Sequence, residues 1–239
     1  MKSPDIVGRA SGVQVSGGLT NLDLRQLPGL FLWYKAEDIA LPIGDPIPSI
    51  SDAGPFGTNA LQDTSTLQAT VIAVPVKANR KAISMNNPEN VYWIGVTPTN
   101  ATNKYTVHLA YYHTIVGLQY LWFPGGTLVA APNGSGGGIG YFDGVWKVSN
   151  TQPTGYAVLS WQLDVNGGAV NRQGVPVYNT TYTAQAVANS GALFGNRANG
   201  GLGPPVRGHI FEVAVFSPAL TDAQRALVDQ YLMNKYEIG

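Results

Sequence analysis

The amino-acid sequence predicts an all-β protein: a two-sheet antiparallel β-sandwich with one short C-terminal α-helix and an extended N-terminal arm. Short runs of β-branched and aromatic residues recur between turn residues, which is typical of sandwich strands. The 29 glycines and 16 prolines supply residues for many tight turns. Only one stretch, near the C-terminus, has a convincing helical pattern. A chain of 239 residues is long enough for one domain of this kind.

Residues 1–28 differ in composition from the rest of the chain. They are polar and rich in Gly and Ser, and their spaced apolar residues are too few to form a core of their own. We interpret them as an arm that pairs with a neighbouring subunit. There are two alternatives: a frayed terminus, or a strand laid along the chain's own domain. Pro28 and Gly29 are turn residues, so residues 29–239 are predicted to form the sandwich domain.

Strands are predicted from Leu30 onwards at the spacing expected of a sandwich. Asn166-Gly167 indicates a hairpin, because type I′ turns need positive φ at both central positions, and Gln173-Gly174 is a weaker signal of the same kind. Residues 77–81 are interpreted as a basic cluster. The predicted strands are residues 30–34, 69–76, 91–95, 105–114, 118–123, 127–131, 140–148, 155–164, 169–171, 175–178, 191–195 and 210–216.

The last strand and the helix close the predicted fold. Residues 210–216 form an apolar run interrupted once by Glu212, and Pro218 ends the run because proline cannot donate to a sheet ladder. Thr221 and Gln224 have the spacing of a capping box, so a helix is predicted to begin after Thr221. The apolar stripe of this helix is predicted to consist of Ala223, Leu227 and Tyr231, with Val228 and Leu232 beside them.

Three stretches carry a family resemblance. They are GHIFEVAVFSPALTDAQRALVDQYLMNKYEI at residues 208–238, LWYKA at residues 32–36, and SDAGPFGTNALQ at residues 51–62, where Pro and Phe stand in place of small polar residues. Together they resemble the concanavalin A-like, laminin-G-like jelly-roll domains. The resemblance runs from about residue 30 to residue 238 and implies a jelly-roll sandwich. It implies no single activity, because lectins, adhesins, glycosidases and phage virion proteins share this fold.

Composition and charge exclude several classes of partner. Charged residues make up 12% of the chain and the net charge is zero, so no basic field would attract nucleic acid or an anionic membrane. No apolar run approaches the roughly 20 residues that span a bilayer, and the N-terminus lacks the apolar region of a signal peptide. The absence of cysteine excludes disulfides and thiolate metal sites. The low charge suits a surface covered by neighbouring subunits, the alternative being a polar surface of Ser, Thr, Asn and Gln.

Catalytic patterns are absent from the sequence. A glycosidase needs two carboxylates across a cleft, and the resemblance implies that these would alternate along one strand. Glu37 and Asp38 are adjacent instead, and Glu212 stands alone on its strand. No G-x-S-x-G motif is present, and His108 and His113 are separated by an odd number of positions, so they face opposite sides of a strand. The sequence therefore predicts that the chain is not an enzyme.

The turn and aromatic residues include the candidate metal and contact residues. No cofactor is predicted. Calcium, the commonest ion of the resembled family, would have Asp143 with Asn150, or Asp52 with Asn59 and Asp63, but these groups favour turn capping. Trp33 and Phe211 are predicted to be core residues, and Leu227 to dock the helix on the sheet. The aromatic residues predicted to contact a glycan or a protein partner are Tyr111, Tyr120, Trp122, Tyr141 and Trp146.

The sequence is compatible with two different functions. The first is a structural or attachment protein of a phage particle, such as a capsid decoration, fibre or tail surface protein. It would be made in the host cytoplasm without a signal peptide and located in the virion, with other virion subunits as partners. A homo-oligomer is predicted, a trimer being favoured, with cell-surface glycan as a further contact and neither nucleic acid nor membrane as a partner. The alternative is a carbohydrate-binding lectin module, with calcium as the ion it would use.

Overall fold

The computed structural model describes residues 22–74, 77, 79–85, 92–94, 104–113, 119, 121–123, 128–132, 138–143, 145–150, 155–164, 167–181, 183, 191–194 and 206–239. Residues 1–21, which are most of the predicted arm, lie outside these ranges. The described strands are Leu30–Lys35 (β1), Ser49–Ile50 (β2), Ala60–Leu61 (β3), Thr70–Val74 (β4), Arg80–Met85 (β5), Tyr92–Ile94 (β6), Tyr105–His113 (β7), Trp122–Phe123 (β8), Leu128–Ala131 (β9), Gly140–Asp143 (β10), Trp146–Val148 (β11), Gly155–Asp164 (β12), Gly167–Arg172 (β13), Val175–Thr180 (β14), Gly191–Leu193 (β15) and Gly208–Phe216 (β16).

In the described part of the chain these strands form two antiparallel sheets. Sheet A has the order β14-β13-β12-β7-β16-β5-β4, and β1 also pairs with β16. Sheet B has the order β11-β10-β9-β8-β15-β6-β3-β2. The predicted all-β sandwich with a single C-terminal helix is thereby confirmed.

Most of the predicted strands are present, and two differences have a simple cause. Strand β5 begins at Arg80 and Lys81, which are predicted to lie in a basic cluster, because both pair with β4 and lead directly into Ala82 and Ile83, which enter the two cores. The predicted strand at 140–148 is divided into β10 and β11, which pair with each other as a hairpin. Gln173 and Gly174 both have positive φ, 47° and 74°, and join β13 to β14 as predicted.

The inner core lies between the two sheets. It contains the inward-facing residues of the long central strands β7, β12 and β16 together with residues of sheet B. Leu109, Tyr111, Trp161, Val213 and Tyr141 are all fully buried there. Alternation along β7 leaves Thr106, His108, Ala110 and Tyr112 on the opposite, outer face of sheet A.

Strand β16 contains a β-bulge and changes partner along its length. Its register against β7 shifts between Ile210 and Glu212. Ile210 and Val213 belong to the inner core, whereas Phe211 packs in a second, outer core. The first three residues of the strand pair with β5, and the residues from Glu212 to Phe216 pair with β1. The bulge therefore turns Phe211 and Glu212 to the same, outer side of the sheet.

The C-terminal helix, Asp222–Tyr236 (α1), packs on that outer side. Thr221 Oγ1 accepts from the backbone N–H of Gln224, and Gln224 Oε1 accepts from that of Thr221, which confirms the capping box. The helix buries a mixed face rather than the predicted apolar stripe. Ala223 is exposed, and Leu227 packs against the outer core while only half-buried. The buried face consists of Arg225, Val228, Asp229, Tyr231, Leu232, Lys235 and Tyr236.

The outer core, between sheet A and α1, extends to the segment that precedes β1. Trp33 and Phe211 lie in this core, as predicted. Leu22, Leu24 and Leu27 are also buried in it, because a single 3₁₀ turn at Leu24–Gln26 folds the segment back along the domain. The last part of the predicted arm thus packs on its own domain. Within the described residues, no helix has the length and apolar character needed to cross a membrane.

A candidate functional cleft beside the C-terminal helix

A cleft of about 620 Å³ opens on the outer face of sheet A, beside the last turns of α1. Its volume falls within the range of small-molecule sites. Four elements meet around it: the end of β1, the start of β5, the segment before β1, and the helix. It is lined by Leu22, Asp23, Arg25, Trp33, Lys35, Glu37, Arg80, Tyr231 and Lys235.

Glu212 lies beneath this cleft with its carboxylate fully buried. One oxygen accepts from Trp33 Nε1 at 2.6 Å and from the Tyr231 hydroxyl at 3.2 Å. The other accepts from Lys235 Nζ at 2.7 Å and from the Tyr236 hydroxyl at 2.7 Å. A buried carboxylate is tolerated only when it is paired and hydrogen-bonded in this way. Glu212 therefore fixes one side chain of β1 and three of the helix around a single point.

Lys235 links the buried carboxylate of Glu212 to the surface of the cleft. Its ammonium contacts Glu212 and also Glu37 Oε1, at 2.5 Å. The second oxygen of Glu37 lies 3.8 Å from Arg80 Nη1. Glu37 thus lies between two cations at the cleft surface, where its carboxylate is partly exposed and within reach of a ligand.

The opposite wall is built from two further ion pairs. Lys35 Nζ lies 2.7 Å from Asp38 Oδ2 and 4.6 Å from the centre of the Trp33 ring. Arg25 donates to both oxygens of Asp23, and this hydrogen bonding lowers the pKa of the Asp23 carboxyl. Among the described residues, each of the four cations that line the cleft has a carboxylate partner, so this part of the cleft is rich in charged groups yet close to neutral.

Both tyrosines of this network are held as hydrogen-bond donors. Burial raises the pKa of Tyr231, and the nearby Glu212 carboxylate raises it further. The pKa of Tyr236 is raised by the same two causes in the same order. Their hydroxyls therefore remain protonated across the physiological range. Glu212 has both oxygens engaged and no exposed surface, so of the two carboxylates that contact Lys235 it is Glu37 that a ligand in the cleft can reach.

A second buried polar cluster fixes the first half of the helix. Asp229 Oδ1 lies 2.9 Å from His108 Nδ1, and Asp229 Oδ2 accepts from Ser160 Oγ at 2.9 Å and from Arg225 Nη1 at 3.3 Å. Ser160 bonds the aspartate rather than the histidine, so these residues are not arranged as a nucleophile and its base. His108 faces the helix and His113 faces the inner core, which confirms that they lie on opposite sides of β7.

The aromatic residues predicted to contact ligands are distributed differently. Tyr111 and Tyr141 are completely buried in the inner core, so neither can contact a glycan or a partner, and that prediction is corrected. Both lie on the inward face of a strand, where aromatic side chains fill the sandwich. Tyr120 and the side chain of Trp122 lie outside the described residues. Trp146 is half-buried on strand β11, with its ring centre 5.3 Å from that of Phe142.

The predicted calcium residues are engaged in other contacts. Asp143 is buried, forms an ion pair with Lys147 and accepts from the backbone N–H of Thr183, so an ammonium already compensates its charge. Asn150 is exposed. Asp52 accepts from the backbone N–H groups of Trp33, Gly54 and Thr58, which confirms its turn-capping role. Among the described residues, no group of three or more acidic or histidine side chains is arranged to hold a metal ion.

Sequence reasoning missed the cleft because its residues are far apart in the chain. The one signal in the sequence is Glu212, an isolated charge in an apolar strand. Tyr231, Lys235 and Tyr236 recur at helical spacing and offer three donors along one face. An isolated carboxylate in an apolar strand, together with a helix that carries three donors on one face, predicts that Glu212 contacts the helix.

Among solved structures, the chain is similar in fold to parts of three carbohydrate-active enzymes. Domain 4 of an extracellular GH43 arabinanase from Geobacillus stearothermophilus, solved with arabinotriose, has a TM-score of 0.56 at 19% identity, covering 83% of this chain and 97% of that domain. A Trypanosoma rangeli sialidase has a TM-score of 0.57 at 12% identity, covering 86% of this chain and 33% of the sialidase. A GH54 α-L-arabinofuranosidase has a TM-score of 0.59 at 11% identity, covering 80% and 51%.

These similarities concern the fold, since all the identities are below one fifth. No protein-family model and no curated protein matches the chain. The chain spans nearly the whole arabinanase domain, but only a third of the sialidase and half of the arabinofuranosidase. It is therefore similar to one β-sandwich unit within each of these larger enzymes.

The prediction that the chain is not an enzyme is contradicted by these neighbours. The similar structures belong to an arabinanase, a sialidase and an arabinofuranosidase, all of them enzymes. The prediction rested on the lack of paired carboxylates along one strand, of a triad motif and of a metal cluster, and such local patterns are no guide to a chain whose carboxylates meet through the fold. Glu37 and Glu212 illustrate this, because they lie 175 positions apart in sequence and contact the same ammonium.

Proposed function

We propose that the chain is a carbohydrate-binding module that binds neutral oligosaccharides in the cleft beside α1 and serves a glycan-processing enzyme. The observation that carries the proposal is the composition of the cleft wall. Four cations and their carboxylate partners present hydrogen-bond donors and acceptors side by side, over an indole and a phenol ring. Sugar hydroxyls donate and accept at once, so such alternating groups suit them.

The charge balance of the cleft favours a neutral ligand. An acidic sugar would have to displace Glu37 from Lys235 or Asp38 from Lys35, leaving a carboxylate without its partner. A sugar hydroxyl can instead donate to the carboxylate and accept from the cation of one ion pair. The two charges then still compensate each other. Hydrogen bonds to charged groups are also stronger than those between neutral groups.

The structural neighbours support glycan binding more than a virion role. The arabinanase domain, which this chain covers almost completely, was solved with arabinotriose. The phage structural protein predicted from the sequence has no support from the neighbours reported above, and its alternative, the carbohydrate-binding module, is the one we retain. The predicted homo-oligomer and the predicted virion location remain proposals, to be tested by light scattering and by fractionation of the native host and its released particles.

Titration calorimetry with arabinotriose, other neutral oligosaccharides and sialyllactose tests the proposal. We expect binding of at least one neutral oligosaccharide, weakened about tenfold or more by Glu37→Gln, because a hydrogen bond to a charged group is lost. Asp222→Asn is the matched control, since Asp222 is an exposed, ion-paired carboxylate away from the cleft. Binding of sialyllactose alone would contradict the neutral class, and the absence of any glycan binding would contradict the function.

A further inference from the structure

The outer face of sheet A is only partly covered by the helix. On β7, the Thr106 hydroxyl accepts from Leu220 at the start of the helix region, and His108 contacts Asp229 within it. The next outward residue beyond Ala110 is Tyr112, which is half-buried rather than covered. Strand β12 repeats this pattern, since Ser160 contacts the helix while Tyr156 is half-buried.

Three half-buried rings lie side by side on this uncovered part of the face. Tyr112 is the register partner of Tyr156 on one side and of His209 on the other. The ring centres of Tyr112 and Tyr156 are 4.6 Å apart, and the Tyr112 and His209 rings are stacked at 5.5 Å. We call these residues, His209, Tyr112 and Tyr156, the aromatic row. They form a continuous strip of ring surface across three adjacent strands.

Polar groups border the aromatic row. Lys77 Nζ lies 4.6 Å from the centre of the Tyr156 ring and donates to the carbonyl of Glu237 at 2.6 Å, so the ammonium is held at the end of the helix. The row itself carries two phenol hydroxyls and an imidazole. Half-buried aromatic rings next to fixed donors and acceptors match a sugar ring, which has C–H groups on its faces and hydroxyls around its edge.

The aromatic row is linked to the cleft by further aromatic contacts. Tyr156 lies 6.1 Å from Phe211, and Phe211 lies 5.1 Å from Tyr236, measured between ring centres. The guanidinium of Arg80, which lines the cleft, lies 5.5 Å from the centre of the Tyr236 ring. The row and the cleft therefore occupy the same face of the sheet, on two sides of the helix end.

We propose that the aromatic row is a second glycan subsite, at which a neutral oligosaccharide stacks on Tyr112 and Tyr156. This inference rests on the proposed function, because it assigns a further subsite to the same class of ligand. Stacking on half-buried rings requires little rearrangement, since cross-strand packing already orders them. The ligand would add contacts at the row when it is long enough, or when a second molecule binds there.

The test compares affinity for arabino-oligosaccharides of increasing length in the wild type, in Tyr112→Ala and in the double variant Tyr112→Ala, Tyr156→Ala. We expect wild-type affinity to rise with length or a second site to be detected. The variants should lose about three- to tenfold of affinity for the longest ligand while keeping that for the trisaccharide. Phe56→Ala is the control, because Phe56 is an aromatic residue that is 66% exposed in a loop.

The outcomes separate this inference from the proposed function. If the wild type binds glycans and Glu37→Gln weakens binding, but the tyrosine variants bind every length as the wild type does, the aromatic row is not a subsite. If the wild type binds no glycan, the proposed function fails first. A circular dichroism melt identifies any variant that has lost its fold, and Tyr112→Leu, which keeps apolar volume without the ring, then replaces Tyr112→Ala.

Discussion

Phe211 and Glu212 are neighbours in one β-strand, yet both side chains lie on the same side of the sheet. A regular strand would send them to opposite faces. The bulge between Ile210 and Glu212 removes that alternation, so Phe211 packs under the helix while Glu212 accepts hydrogen bonds from it. One irregularity in strand β16 thereby supplies both the apolar and the polar contact that dock the helix end.

Removing the Glu212 charge should destabilise the protein strongly. In Glu212→Gln the Lys235 ammonium loses a buried partner, and an amide N–H₂ faces donors that need an acceptor. We expect a loss of about 3–5 kcal/mol in the free energy of unfolding, measured by urea denaturation. The double variant Glu212→Gln, Lys235→Met should recover part of that loss, because the unpaired charge is then absent. Equal losses in the single and double variants would show that the ion pair is not the cause.

Leu232 should contribute more to helix docking than Leu227. Leu232 is completely buried in the outer core, whereas Leu227 is only half-buried against it. We expect Leu232→Ala to cost about 2–5 kcal/mol and Leu227→Ala roughly 1 kcal/mol, both from urea denaturation curves with unchanged slopes. A larger loss for Leu227→Ala would mean that the helix docks through the stripe predicted from the sequence.

Stability should fall as the pH is lowered from 7 to 5. Burial lowers the pKa of His113 and of His209 below the ordinary value of 6.5. Below that pH the unfolded chain therefore binds more protons than the folded chain, which favours unfolding. Asp23 does not contribute in this window, because its lowered pKa lies below 3.8. Denaturation at the two pH values should show a smaller pH effect in His113→Gln than in the wild type, and an unchanged effect would refute the assignment.

Two truncations should separate the arm from the domain. Deleting residues 1–21 keeps Leu22, Leu24 and Leu27 of the outer core, and we expect the melting temperature to stay close to that of the full chain. Deleting residues 1–28 also removes Leu22, Leu24 and Leu27 from that core, so the melting temperature should fall by several degrees. The prediction that the arm makes subunit contacts is tested by light scattering on the shorter deletion. An unchanged molar mass would contradict it.

The strands, the capped helix and several core residues could be predicted because their signals are local. The Thr221 capping box and the Gln173-Gly174 turn depend on residues at most three positions apart. The cleft could not be predicted in the same way, since Glu212, Lys235 and Glu37 meet only after the sheet and helix have packed. Tyr111 and Tyr112 show a second limit. They are adjacent aromatic residues, and which of them is buried depends on the face of β7 that turns inward.

The change of partner along β16 has a consequence for how the cleft could diversify. Strand β1 pairs with the second half of β16 and β5 pairs with the first half, so β1 and β5 separate from each other along the same side of β16. Lys35 at the end of β1 and Arg80 at the start of β5 both line the cleft. The cleft between these two strands is bounded by their backbone hydrogen bonds and, beneath it, by the buried hydrogen-bond network of Glu212. The groups that would select a ligand, such as Glu37, Arg80 and Arg25, stand on the rim and are partly exposed. The backbone around the cleft and the side chains at its rim can therefore vary independently, so related chains could exchange rim side chains to bind different ligands while the strand arrangement stays the same.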